Sequence, residues 1–236
     1  MCGISGVYNF DSKEIDKSAL VRMSGAIKHR GPDGEGFYIN LNFGMAHRRL
    51  SIIDLEKGSQ PIYNEDKSVV IVYNGEIYNH KIIKDELKLR GHNFRTETDS
   101  EVVLHAYEEW GVDSLLRFNG MFAYAIWEEK DRRLIIARDR LGIKPLYYYL
   151  DDQTLVFSSE IKSILRDSRV VAKVDCKALI DYTTFQNILD GKTFFNAITK
   201  LLPAHYLMCD KDGARVIKYW EISIKKNMDI SMGETL

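Results

Sequence analysis

The chain has 236 residues, 45% of them hydrophobic and 28% charged, with a formal net charge of −1, enough material for the core of one large domain or two small ones. Its balance of charge carries no basic footprint for nucleic acid or a membrane surface. No apolar run reaches the roughly 18 residues of a membrane span, and no basic-then-apolar leader opens the sequence. Three widely spaced cysteines, Cys2, Cys176 and Cys209, make neither a disulfide framework nor a zinc site and fit a reducing cytoplasm.

In chain order, residues 2–8 read as a strand. Residues 15–28 read as a helix with Leu20, Met23, Ile27, Ala19 and Ala26 on one face. It ends in His29-Arg30-Gly31-Pro32-Asp33-Gly34, where Gly and Pro enforce a loop. Strands are expected at 36–40, 43–53 and 68–73, the last followed by the turn dipeptide Asn74-Gly75. A short helix spans 80–90, with Ile83 and Leu87 on one face and Gly91 as its cap. Thr98-x-x-Glu101 is a capping box that opens a helix carrying Val103, Ala106, Tyr107 and Trp110, closed by Gly111.

Strands follow at 121–128 and 133–138, and a strand pair at 146–150 and 154–158 is joined at Asp151-Asp152. Helices are expected at 160–167 and 175–186, strands at 201–209 and 214–221. Residues 221–236 lack a period and read as a linker or tail. Many antiparallel hairpins with helices between them predict an α+β domain of packed layers.

Cys2 is the first residue with chemistry. If Met1 is removed, Cys2 carries a thiol and a free α-amine on one Cα. The amine titrates at about 7.7–8.0 and a free thiol at about 8.5. One residue then supplies nucleophile and base, with a water relaying the proton because the two groups hang from the same carbon. By position alone, Cys2 reads first as a small buried residue at a strand start, and the rest of the chain must reverse that reading.

Other candidates carry a similar double reading. Arg48 and Arg49 are adjacent in a predicted strand, so alternation sends one toward solvent and the other into a cleft, where a guanidinium fork suits a carboxylate. Taken alone, the pair reads as two surface cations. The Asn74 amide and the Gly75 N–H form a two-donor pocket of the kind that stabilises an oxyanion, or simply a hairpin turn. Asp99 either complements a helix dipole or pairs with a ligand ammonium. Residues 31–36 lack the features of a phosphate loop. The six histidines show no ligand spacing, so no metal is expected.

Eight stretches between residues 2 and 162 are together similar to the class II glutamine amidotransferase domain, an N-terminal-nucleophile hydrolase, and more narrowly to the glutaminase half of glutamine-hydrolysing asparagine synthetases. They are Cys2-Gly3-Ile4-Ser5-Gly6-Val7, His29-Arg30-Gly31-Pro32-Asp33, His47-x-Arg49-Leu50-Ser51-Ile52-Ile53-Asp54, Gln60-Pro61-Ile62-Tyr63-Asn64, Asn74-Gly75-Glu76-Ile77-Tyr78-Asn79, Thr98-Asp99-Ser100-Glu101, the run from Arg138 to Tyr148, and Ser158-Ser159-Glu160-Ile161-Lys162. Leu201 to Tyr206 extends the likeness to about residue 220.

The resemblance implies a four-layer αββα sandwich of two antiparallel sheets between helices. By the same likeness Cys2 is the nucleophile and its α-amine the base, and Asn74 and Gly75 form the oxyanion hole. Arg49 grips the α-carboxylate of L-glutamine, Glu76 and Asp99 surround its α-amino group, and Ile52 and Ile53 add backbone contacts. Arg30 sits on a loop beside the pocket. No cofactor is implied for this half. ATP and Mg belong to a synthetase domain whose SGG-x-DS loop this sequence lacks.

The expected organisation is a glutaminase domain over 1–220 and a linker over 221–236 toward a C-terminal synthetase domain. Aspartate is the default ammonia acceptor. A catalytically silent module of the same fold, or an amidotransferase for another acceptor, are the competing readings. A homo-oligomer is compatible with the sequence.

Overall fold

The computed structural model describes residues 1–51, 54, 58–210 and 213–223. The elements in order are β1 Gly3–Asn9, α1 Lys17–Ala26, β2 Gly34–Asn40, β3 Phe43–Arg49, β4 Ile62–Tyr63, β5 Val69–Ile77, α2 His80–Leu89, α3 Asp99–Trp110, α4 Ser114–Arg117, β6 Gly120–Glu128, β7 Arg133–Arg138, β8 Tyr147–Leu150, β9 Thr154–Ser158, α5 Ile161–Ile164, α6 Cys176–Phe185, β10 Ile198–Lys200, β11 His205–Asp210 and β12 Gly213–Lys218. The strands form two six-stranded sheets, ordered β10-β8-β9-β1-β3-β2 and β12-β11-β7-β6-β5-β4. All the strand pairings are antiparallel.

Period-two alternation sorts each strand between two cores. Ile4 and Tyr8 of β1, Phe43 and Met45 of β3, and Val70 and Val72 of β5 meet between the sheets, where the Trp127 and Phe43 rings stack at 4.2 Å. Ile71 and Tyr73 of β5 face outward to Ile83, Leu87, Val103 and Tyr107 of α2 and α3. Val7 of β1 and Val156 of β9 turn the other way, against Met23 of α1 and Ile164 of α5. Helix, sheet, sheet and helix thus form the four layers that the resemblance implied.

Most predicted elements are present, with several corrections. The expected helix over 15–28 begins at Lys17, because Asp16 caps it from outside by accepting from the Ser18 N–H, and it ends at Ala26, after which residues 28–30 tighten into a 3-10 turn. The strand expected over 43–53 stops at Arg49. Asn74-Gly75 is no turn: β5 runs through both residues to Ile77, pairing Asn74 with Ala123 and Gly75 with Phe122. The capping box is half formed. Thr98 accepts from the Glu101 N–H at 3.4 Å, but the Glu101 carboxylate reaches back past Thr98 to the N–H groups of Arg95 and Thr96.

The helix over 160–167 is a single turn, and residues 201–204 separate β10 from β11 instead of opening a strand. The two-residue β4 had no sequence signal. Of the expected tail, Glu221, Ile222 and Ser223 are neither strand nor helix, and 224–236 lie outside the described residues.

Candidate active site

The site lies at one mouth of the gap between the sheets, and register explains why. Gly3 pairs with Arg48 across β1 and β3, so one step further Cys2 stands opposite Arg49. Alternation then points Cys2 and Arg49 the same way as Ile4 and Met45, toward the second sheet. On that sheet Asn74 and Glu76 share the inward parity of Val70 and Val72. Arg48 has the opposite parity. It is bound to Ser24 of α1 at 2.9 Å and to Glu35 at 2.6 Å, so it is tied into the helical layer and does not reach solvent as alternation alone suggested.

These residues frame a small cleft lined by Cys2, Arg49, Tyr73, Gly75, Glu76 and Asp99, with Leu50, Gln60 and Ser100. Cys2 sits on the wall beside Leu50: its Sγ accepts from the Leu50 N–H at 3.4 Å and contacts the Leu50 carbonyl at 3.6 Å. Burial raises the Cys2 thiol above its ordinary value. The Leu50 hydrogen bond, the chain's leading ammonium, Arg49 and Lys144 pull against that rise. The Cys2 carbonyl accepts from Arg30 Nε at 2.9 Å, and Arg30 is itself tied to Glu160 at 3.1 Å. Arg30 thereby braces the backbone of Cys2.

Across the cleft, β5 presents two donors. Asn74 is buried, and its Nδ2 has no hydrogen-bond partner, which is costly unless something arrives to accept from it. Phe122, opposite Gly75, turns both its N–H and its C=O to Asp139, at 3.2 and 2.8 Å. The pair is therefore of the non-hydrogen-bonded kind, and the Gly75 N–H points away from β6 into the cleft. A Cβ on Gly75 would lie 2.6 Å from the Met121 carbonyl oxygen and 2.7 Å from Phe122 Cβ. Glycine is required there by the neighbouring strand, not by a turn.

The groups flanking Gly75 are fixed. The Gln60 side chain behaves as a missing strand partner for Tyr73, accepting from its N–H at 2.6 Å and donating to its carbonyl at 3.2 Å. Neutral His47, pushed down to about 3 by its burial, donates to the same carbonyl at 3.1 Å. The Asp99 Oδ2 accepts from the Tyr73 hydroxyl at 2.6 Å and from the Ile77 N–H at 2.9 Å, leaving Oδ1 for the cleft. Burial and the Asp99 carboxylate hold the Tyr73 phenol well above its ordinary value, so it stays a donor.

Arg49 lines the cleft and donates through Nη2 to the Asp54 carbonyl at 2.6 Å. Every sequence-predicted site residue is thus at the cleft or beside it, except Ile52 and Ile53, which lie outside the described residues. Sequence reasoning missed Gln60, Tyr73 and Leu50. Gln60 and Leu50 lie inside motifs that carry the resemblance, but nothing in their residue types announces a role. Among the described residues one three-ligand group, His92, His105 and Glu108, has its ligand atoms within 4.8 Å of one another. It lies on the helical layer, and its members already bind carboxylates: His105 Glu108 at 2.7 Å, and His92 Glu109 at 3.2 Å.

A thiol, two inward donors, an arginine and a half-free carboxylate around one small cleft can hold an amino acid by its charged end and present its side chain to sulfur. Two sheets between helical layers with this site at one mouth define the glutamine amidotransferase fold of the N-terminal-nucleophile hydrolases. The same fold is seen in glutamine phosphoribosylpyrophosphate amidotransferase from B. subtilis, solved with ADP and GMP, at a TM-score of 0.68 over 93% of this chain and 49% of that one, with 17% identity. The family model for the glutamine amidotransferase domain matches residues 1–220, and the chain belongs to that family.

Asparagine synthetase [glutamine-hydrolyzing] 3 of Bacillus subtilis (strain 168) is 38% identical over 97% of this chain and 38% of its own length. Putative asparagine synthetase [glutamine-hydrolyzing] 2 of Methanocaldococcus jannaschii is 39% identical over 94% of this chain and 47% of its own length. The chain spans less than half the length of these relatives. Among the described residues no helix is long and apolar enough to cross a membrane.

Proposed function

We propose that this domain hydrolyses L-glutamine to L-glutamate and ammonia through a thioester on Cys2. The observation that carries this reading is the buried, orphaned Asn74 Nδ2 on the inward face of β5, next to Gly75, which lines the cleft together with Cys2. A buried donor without an acceptor fits a charge that exists only during reaction.

Arg49 receives the substrate α-carboxylate, and Asp99 with Glu76 receives its α-ammonium. With Met1 removed, the α-amine of Cys2 takes the thiol proton through a water, and sulfur attacks the side-chain amide carbon. Asn74 and Gly75 hold the tetrahedral oxyanion. As it collapses, the C–N bond breaks and the α-ammonium protonates the departing ammonia. Water then attacks the thioester carbon, releasing glutamate and restoring the thiol. Met1 is 58% exposed, open to removal by an aminopeptidase. The chemistry asks for no metal or cofactor.

The wider reading places the glutaminase domain over residues 1–220 and a linker from 221 on. The ammonia goes to an ATP- and Mg-using synthetase domain of the kind the relatives' names imply, with aspartate as acceptor, in the cytoplasm. Glutamate release from glutamine by wild type and Cys2→Ala tests the core of it. Turnover is expected in wild type and a loss of at least about 10⁴-fold in the variant. Equal turnover in both would remove the mechanism.

A further inference from the structure

Beyond Ile71, β5 leaves its partner β4 behind, since that pairing covers only Val70 and Ile71. Tyr73, Gly75 and Ile77 share one parity. With Gly75 in a non-hydrogen-bonded pair, all three turn their N–H groups to this open edge. The outer two are taken, Tyr73 by the Gln60 side chain at 2.6 Å and Ile77 by Asp99 Oδ2 at 2.9 Å. Gly75, between them, lines the cleft.

Asp99 is the first residue of α3, but its carboxylate does not serve the end of its own helix. Thr98 caps that end, accepting from the Glu101 N–H. Asp99 is buried, lines the cleft and turns its carboxylate to β5. There Oδ2 takes a second donor, the Tyr73 hydroxyl at 2.6 Å. Oδ1 takes no hydrogen bond among the described residues.

The phenol is as firmly placed as the carboxylate. Gln60 and His47 hold the Tyr73 backbone, and the ring belongs to the core under α2 and α3. At this range its hydroxyl is a strong donor to an ionised acceptor. A carboxylate held by the Ile77 N–H alone can swing about that bond. With two donors converging on one oxygen, exchanging the oxygens breaks both bonds, so Oδ1 keeps a single direction. The proposed reaction uses Asp99 but gives Tyr73 no part.

We propose that Tyr73 is a positioning residue that sets specificity for the substrate α-amino group: its hydroxyl fixes Asp99 Oδ2, so that Oδ1 is presented to an ammonium in the cleft. The site thereby favours an α-amino acid over the same molecule without its α-amino group. The inference rests on Asp99 receiving the glutamine α-ammonium, as in the proposed function, but it is read by binding and not by turnover.

The test is calorimetric titration of the Cys2→Ala protein, which cannot form the thioester, with L-glutamine and with glutaramate, the same molecule lacking its α-amino group. Adding Tyr73→Phe is expected to raise the L-glutamine Kd about tenfold, as for one lost hydrogen bond to a charged group. The glutaramate Kd is expected to change less than about twofold. In an Asp99→Asn background, Tyr73→Phe is expected to move the L-glutamine Kd by less than about twofold, because the carboxylate it orients is gone. An unchanged L-glutamine affinity in a folded Tyr73→Phe protein overturns the proposal. So does an equal loss for both ligands, which marks a general disturbance of the cleft, and so does a full loss that persists in the Asp99→Asn background.

A readout that keeps the phenol covers a Tyr73→Phe chain that does not fold. With fluorotyrosine placed at residue 73 alone, its fluorine NMR signal is expected to shift when L-glutamine binds and to hold still when glutaramate binds. Indifference to L-glutamine, or the same shift with both ligands, sinks the idea. If wild type releases no glutamate while Cys2→Ala binds L-glutamine in the Tyr73-dependent way, the proposed reaction fails and the role of Tyr73 stands. An active wild type, with an affinity that ignores Tyr73→Phe, keeps the reaction and removes the role of Tyr73.

Discussion

Two buried polar regions lie side by side and are built on opposite rules. In the knot after β7, the Asp139 carboxylate takes four backbone N–H groups and Arg138 feeds three carbonyls. At the cleft, the buried Asn74 Nδ2 beside it has no acceptor and Asp99, which lines it, leaves one oxygen open. Full satisfaction makes a part rigid and costly to disturb. An unsatisfied donor lowers stability and is kept only where a ligand completes it. The first region is scaffold, and the second fits a site waiting for its substrate.

The sharpest way to break that comparison is to damage each side in turn. Asp139→Ala strands four N–H groups, and urea unfolding should show about 3–5 kcal/mol of lost stability. Asn74→Ala strands nothing, so its unfolding midpoint should move far less. Glutamate release should instead show kcat down about 10²–10³-fold with KM nearly unchanged. If Asn74→Ala raised KM alone, the donor would be binding ground-state substrate and the oxyanion assignment would be wrong.

Asp99→Asn sits between the two rules, since Oδ2 is structural and Oδ1 faces the cleft. Steady-state kinetics should show KM for glutamine raised about 10- to 100-fold, with a smaller change in kcat.

The smallest effect concerns a third buried set on α3. Burial opposes the His105 charge, but Glu101 and Glu108 outweigh it and hold the imidazolium up to about 9. Its folded value lies above the ordinary 6.5. The stability it adds is therefore fully present below about pH 6.5 and is lost as pH rises through about 9. Unfolding midpoints across pH 6.5–9.5 should fall by an amount worth about 1–3 kcal/mol in wild type, and His105→Gln should flatten the trend. An equal slope in the variant would place the titration elsewhere.

Much of the site was legible because alternation is local. Once residues 2–8 and 43–53 read as strands, the separation of Arg48 from Arg49 followed, and the register of the paired strands places Cys2 opposite Arg49. Asn74-Gly75 misled for a physical reason. The dipeptide serves turns because glycine tolerates unusual backbone angles, but here Gly75 is needed because Met121 and Phe122 press against it from β6. That pressure is invisible until β5 and β6, which are distant in sequence, are paired.

Gln60 escaped notice because a side chain standing in for a strand partner leaves no periodic trace. Gly36, where a Cβ would lie 1.9 Å from the Gln60 carbonyl oxygen, hints at the close approach only once the fold is known.

In the proposed reaction, sulfur and its own α-amine act together at the head of the chain, and everything else at the cleft serves that pair. Preparations beginning at Cys2 and at Met1 can be separated and identified by intact mass, then compared for glutamate release from L-glutamine. Turnover is expected only in chains that begin with Cys2, and it should be lost when the Cys2 amine is acetylated. Equal turnover from chains that keep Met1 would contradict the pairing of thiol and amine.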